Sequence, residues 1–375
     1  MNILRRLPLS RLLLLCGAVV AIGVSGAALA SALGSGPVPP AKALAQAVHD
    51  TFGAPAVAGV TAQVTLTDHL LEGANLAGAA GQGGELTSNP LIAGGSGRLW
   101  VSSDGKVRLE LQSESGDTEV VYDGHSLTIY DAASNTVYRY TPQQGEGGSE
   151  SEITVATRTS SAGHHAPSVA KIEEAIAHIQ RHADLSGATP VDVGGQPAYT
   201  VRISPRESGS LIAGAELSFD AVHGFPLRVA VYSTTTPAPV IELAATEVGY
   251  GPVAASVFEL SPPPGAKVEN LAGAHAKHAG SGGAAGAPST HAENANGRKL
   301  SGHGHGIAAI GELETKAGSS TASVEGLPKV DINGTSASEL RTELGTVLTF
   351  VRADRRYVLA GAVGPAAVEA LARGL

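Results

Sequence analysis

Glu174, His178 and His182 come nearest, by type and spacing, to a set that does chemistry. Four residues apart on a helical pattern, they share one face, and a carboxylate with two imidazoles is a metal-binding set. Ile172, Ile176 and Ile179 fall on the opposite face, so the set also reads as an ordinary solvated surface. His164, His165, His275, His278, His291, His303 and His305 lie in or near loop-like sequence, where weak metal binding is incidental. The chain has one cysteine, Cys16, inside an apolar leader and preceded by Leu15 rather than the small residue a lipoprotein signal needs. Disulfides, thiol catalysis and cysteine metal sites are therefore excluded from the rest of the chain. No G-x-S-x-G, H-E-x-x-H, P-loop or dinucleotide fingerprint is present. A triad assembled only in space stays open, but the sequence names no catalytic residue, no metal ligand set and no cofactor.

The leader sets the compartment. Arg5, Arg6 and Arg11 precede residues 12–33, which carry no charge. Ala28-Leu29-Ala30 and Ala30-Ser31-Ala32 are small-x-small cleavage sites, as in a secretory signal. The apolar run is also as long as the roughly 20 residues that span a bilayer. Cleaved signal and retained anchor both fit, and both export the body, because the arginines stay inside. Net charge is -9 despite the basic leader. That excludes a nucleic-acid partner, which needs a basic stripe, and electrostatic docking on anionic lipid.

Four of the eight tyrosines sit in one stretch, GDTEVVYDGHSLTIYDAASNTVYRYT, at Tyr122, Tyr130, Tyr138 and Tyr140. From Arg98 to Thr141 the pattern predicts a five-strand antiparallel meander, with Asp104-Gly105 and Asp123-Gly124 as hairpin dipeptides. Leu99, Val101, Val107, Leu109, Leu111, Val120, Leu127 and Ile129 line one face. Arg98, Arg108, Glu110, Gln112, Glu119 and Thr128 line the other, which is expected to meet water. Tyr122 is in phase with the apolar face and Tyr130 with the outer one.

Around this meander the pattern predicts a helix at AKALAQAVHDTFG, a strand at 59–70 and a helix at 168–183 with Ser168 as N-cap. Strands follow at QPAYTVRISP, LIAGAELSFD, PLRVAVYS and VIELAATEVGYG, closed by VFELSPPPGAKV. Residues 271–300 read as a low-complexity linker. In the tail, GIAAIGELE reads as a strand, and Ser336–Glu339 as a capping box opening a short helix that ends at Gly345. TVLTFVR and RYVLAGAV form a hairpin, and Pro365 starts a last helix.

The segments GRLWVSSDGKVRLELQ, GDTEVVYDGHSLTIYDAASNTVYRY and VFELSPPPGAKV, in this element order, resemble the LolA-like superfamily of exported lipoprotein-sorting and lipid-carrier proteins. The resemblance covers residues 41–270. It implies an α+β fold: an antiparallel half-barrel closed by helices, whose concave face holds acyl chains. The lining residues here are Leu99, Val101, Leu109, Leu111, Val120, Leu127, Ile129, Leu217, Phe219, Val229 and Val231. Two predicted helices over nine predicted strands leave apolar surface for such a ligand. The added unit at 301–375 departs from LolA and is similar to the two-domain plan of RseB, whose small domain contacts an anti-sigma factor. The expectations are thus a carrier of lipid or lipoprotein acyl chains, or a sensor whose small α+β unit meets a membrane protein, in the cell envelope.

Residues 71–97 hold eight glycines together with Leu76, Leu86, Leu91 and Ile92. Four apolar residues in a spacer invite the reading of a lid over the cavity mouth; a plain insertion without fixed structure is the other reading.

Overall fold

The computed structural model describes residues 36–72, 89–114, 116–141, 166–271, 292–293, 299–317 and 327–375. The leader, Leu76, Leu86 and most of 271–300 lie outside the described residues. Among those described, no helix is long and apolar enough to cross a membrane.

The elements run in chain order as α1 (Leu44–Gly53), β1 (Gly59–Asp68), α2 (Pro90–Ala93), β2 (Gly95–Ser102), β3 (Val107–Ser113), β4 (Gly116–Tyr122), β5 (Leu127–Asp131) and β6 (Thr136–Tyr140). They continue with α3 (Val169–Ile179), β7 (Ala183–Leu185), β8 (Thr189–Val193), β9 (Gln196–Pro205), β10 (Ile212–Asp220), β11 (Pro226–Ser233), β12 (Pro239–Tyr250) and β13 (Lys267–Leu271). One sheet joins these strands in the order β13-β6-β5-β4-β3-β2-β1-β12-β11-β10-β9-β7, with β8 also on β9. The predicted meander is β2 to β6, and its two Asp-Gly turns place Gly105 at φ 92° and Gly124 at φ 97°, a region open to glycine.

Pairing gives the sheet one continuous inner face. One row runs Val248, Ala62, Leu99, Leu109, Val120, Ile129 and Tyr138. A second runs Val201, Leu217, Val229, Leu243 and Leu66. Directly paired residues share a face, so apolar side chains from opposite halves of the sheet point into the same half-barrel. At one end α1 covers this face, where Ala47, Leu44 and Val48 pack on Tyr199, Val201 and Phe219. Tyr199 anchors that end further by donating its hydroxyl to Pro40 O at 2.6 Å. α3 packs on α1, starting from the predicted cap: Ser168 Oγ accepts from Lys171 N at 3.4 Å.

The outer face is polar only in part. Arg108 pairs there with Glu110 at 2.6 Å and Glu119 at 3.1 Å. Thr128, expected to meet water, is instead buried, together with Val121 and Val137. β13 joins β6 in parallel, which requires a crossover, and the chain after β12 makes it over this face. Arg108 Nη1 donates to Val257 O at 2.7 Å, and Phe258 is buried in the same segment.

A second sheet holds β14 (Ala292–Glu293), β15 (Lys299–His303), β16 (Ile310–Lys316), β17 (Lys329–Ile332), β18 (Thr335–Arg341), β19 (Thr346–Arg352) and β20 (Arg355–Gly361), followed by α4 (Pro365–Gly374). Val368 and Ala372 of α4 pack on Ile332, Leu348, Phe350 and Leu359. The hairpin and last helix stand where the sequence put them. The strand expected from Gly306 begins at Ile310, after a 3-10 turn at Gly306–Ala308. Ser336–Glu339 is not a helix start. It lies within β18, which pairs with β17 and β19, so the two ladders satisfy the backbone groups a cap would have served. Glu339 is buried on that strand and accepts from Arg341 Nε at 2.5 Å.

Candidate ligand-binding site

The inner-face residues fall into two groups. Leu109 and Leu111, 3% and 1% exposed, are sealed in a cluster with Ala62, Val64, Leu66, Val231 and Ile241, against which Leu99 and Val120 pack. Val101, Phe219 and Val229 are also buried, and Leu217 packs beside Phe219 below α1. Leu127 and Ile129 of β5 stay half-buried, opposite Tyr140 and Tyr138. All eleven residues share the one face; the central ones are core, and those on β5 are the more open.

Glycine shapes the middle of this face. Inward positions 95 and 97 of β2 carry no side chain, because both are glycine. A Cβ on Gly97 would lie 1.8 Å from Glu110 O, so β3 approaches too closely for any other residue there. The cleared space is used by α2. Pro90 is buried, and Leu91 packs against the central cluster. Asn89 caps the helix, its Oδ1 accepting from Leu91 N at 2.9 Å. Ile92 is half-buried in the same turn. Beside α2, at the ends of β1 to β3, an open groove of about 640 Å³ is lined by Leu66, Gly94, Gly95 and Gln112 among others.

The inner face carries few charges: on its β13 edge, in register with Thr136 and Tyr138, Lys267 meets Glu269 at 2.5 Å. Asp131, at one end, is tied into its own turn by Ala133 N at 3.1 Å and Ser134 Oγ at 2.8 Å. Asp68, at the end of β1, accepts from Leu70 N. Its carboxyl is pushed up to about 7, chiefly by burial, against the pull of that N–H. The charges collect on the outside: Arg228 meets Glu216 at 2.9 Å and Glu242 at 2.6 Å, and Tyr232 donates to Glu216 at 2.7 Å. Burial pushes Glu216 up, but the bonds from Arg228, Tyr232 and Arg202 outweigh it and hold its pKa below the usual range.

Among the described residues, the histidines form no group that could hold a metal ion. His178 and His182 are exposed on α3 and just after it, with ring centroids 6.3 Å apart. Asp220 comes nearest to a catalytic carboxylate, being fully buried, yet its oxygens are committed to Val222 N, His223 N and the Tyr250 hydroxyl at 2.6–2.7 Å. This fastens the turn between β10 and β11.

Leu70 packs against the central cluster from the turn after β1, which ends at Asp68 and not at the predicted residue 70, and Leu344 packs there from the second sheet. Leu344 shows in no local pattern of the half-barrel, since it lies in a turn of the other sheet.

The architecture is that of an open, helix-covered antiparallel half-barrel with a second small sheet. No protein-family model and no curated protein matches the chain. Among solved structures it is similar to the complex of Pseudomonas aeruginosa MucA/MucB, at 15% identity and TM-score 0.43, covering 88% of this chain and 96% of that chain. It is similar to an uncharacterized conserved protein from Thermus thermophilus, at 12% identity and TM-score 0.35, covering 60% and 98%. It is also similar to the LolA superfamily protein NE2245 from Nitrosomonas europaea, at 8% identity and TM-score 0.19, covering 85% and 91%. The half-barrel rests on its own strand pairing.

Proposed function

We propose that this chain is an exported, non-enzymatic binding protein of the cell envelope that holds an acyl chain, of a lipid or a lipoprotein, on the inner face of its half-barrel. Residues 41–270 hold the binding domain and 301–375 most of the small domain, with the linker inside 271–300, ahead of the first strands of the second sheet at Ala292–Glu293 and Lys299–His303. The observation that carries this reading is the inner face itself: an apolar surface, with its few charges at the edges and strand ends, spanning both halves of the sheet and half-open at Leu127 and Ile129. Burying a hydrocarbon chain is favourable by about 0.8 kcal/mol per CH2, so such a face needs shape and dryness more than polar contacts.

The test is native mass spectrometry on the exported chain purified from membranes. A co-purifying lipid or acylated peptide is the expected result. A clean apo mass, together with no uptake of added fatty acid, would remove the reading. A second reading makes the small domain the contact for a membrane protein, in a sensor. It is favoured by the contact of that domain with the half-barrel, in which Leu211 N donates to Ala362 O at 2.7 Å; a passive tail has no need of it. Deleting 301–375 separates the two: a carrier keeps its ligand, and a sensor loses its partner.

A further inference from the structure

The two sheets meet along a seam of two patches. In one, Ser210 and Val363 form an antiparallel bridge, and Ala362 O accepts from Leu211 N at 2.7 Å and Ser210 Oγ at 2.9 Å. In the other, the turn between β18 and β19 reaches the half-barrel. Glu343 N donates to Leu70 O at 3.1 Å, Glu343 O accepts from Ser233 Oγ at 2.6 Å, and the Glu343 carboxylate accepts from Thr235 Oγ1. The next residue, Leu344, lies against the apolar cluster that contains Leu109 and Leu111.

This turn is built to hold its shape. The Thr342 hydroxyl accepts from Gly345 N at 3.0 Å and Leu344 N at 3.3 Å, and donates to Gly345 O at 2.9 Å. Gly345 allows the close approach, since a Cβ there would lie 2.5 Å from Gly361 O. A preorganised turn loses little freedom on docking. The bonds around it are of the kind that water nearly matches, so they set the position of Leu344 without locking it.

We infer that Leu344 is a built-in plug of the inner face: it occupies apolar surface that a bound acyl chain takes over, and ligand entry therefore undocks the small domain. The inference rests on the acyl-chain reading above and adds its regulation. A ligand shifts a two-state element only through differential affinity. Here the differential arises because docked Leu344 and an incoming chain compete for the same surface. Coupling of this kind is reciprocal, so holding the domain docked must weaken binding by the factor with which ligand undocks it.

The exported chain has no cysteine beyond Cys16 in the leader, so one engineered pair reports cleanly. Ser210→Cys with Val363→Cys joins a bridged pair, whose Cα separation suits a disulfide. The probe is dansyl-undecanoic acid, titrated by fluorescence against wild type, the oxidised and reduced double-cysteine protein, and Leu344→Ala. The expected result is binding weakened about tenfold in the oxidised protein and restored on reduction, with Leu344→Ala tightened about fivefold. Leu344→Ala keeps the test decisive if the cysteine pair fails to fold. Wild-type affinity in Leu344→Ala, whatever the staple does, overturns the plug and leaves the acyl-chain reading standing. Absence of probe binding in every protein, Leu344→Ala included, overturns that reading and the plug with it.

Discussion

The Thr118 hydroxyl donates to the Asn89 side chain at 3.2 Å, across 29 residues of sequence. The same Asn89 oxygen caps α2, so one half-buried bond ties the 71–97 segment to β4. Thr118→Val keeps the shape and removes the bond. We expect a loss of about 1 kcal/mol and faster amide exchange at residues 90–93, with β4 still protected. Added fatty acid should then slow exchange at 90–93 in wild type more than in the variant, as a lid requires. Equal exchange in the two proteins would remove Asn89 as the latch.

Leu111 and Leu127 share the inner face but should fail differently. Leu111 is sealed in the central cluster. Leu111→Ala is expected to cost about 2–5 kcal/mol in denaturant unfolding, through lost burial and a cavity. Leu127 is half-buried, so Leu127→Asp should fold with little loss yet abolish uptake of a fluorescent fatty acid, because a carboxylate there would meet apolar chain with no partner. Unchanged uptake in a folded Leu127→Asp protein moves the binding surface elsewhere.

On the outer face, Arg228 lies between Glu216 and Glu242, all about one-fifth exposed. Arg228→Met leaves two carboxylates facing each other, and we expect a loss of about 2 kcal/mol, at the low end for a paired charge because the site is partly solvated. The triple variant with Glu216→Gln and Glu242→Gln should recover most of it. If the triple variant is as unstable as Arg228→Met, packing of the arginine stem and not charge is what the site supplies.

How much of this was legible in the sequence depends on the range of the signal. The meander was readable because Asp104-Gly105 and Asp123-Gly124 set its turns locally and strict alternation names the faces. Thr128 was misplaced because the outer face it belongs to is crossed by the β12–β13 segment, more than a hundred residues away, which Arg108 meets at Val257 O. Ser336–Glu339 was misread because a capping box is a four-residue pattern that a strand can also carry; only pairing to β17 and β19 decides. Gly95 and Gly97 looked like loop spacers, yet they lie in a strand where β3 comes too close for a side chain. Leu344 had no signal at all, being a single leucine in a turn whose partners come from the other sheet.

Stability should depend on pH through Asp68. Burial raises the Asp68 carboxyl from its ordinary 3.8 to about 7, with Glu72 adding to the rise and the Leu70 N–H and His69 opposing it. An acid with a raised folded pKa binds its proton more tightly in the folded state. Its stabilising contribution is therefore complete below pH 3.8 and lost as pH climbs to about 7. Glu216, held low, works the other way and loses its contribution only in acid. Wild type should thus unfold more easily at pH 8 than at pH 5 in denaturant titrations, and Asp68→Asn should flatten that slope. Leu70 donates its N–H to Asp68 and its carbonyl accepts from Glu343 N, so Asp68 lies beside the seam. Ionisation strengthens the bond that Asp68 accepts from Leu70, so the titration is expected to act on stability and to leave fatty-acid affinity level between pH 5 and pH 8. A wild-type slope surviving intact in Asp68→Asn would assign the pH dependence to another group.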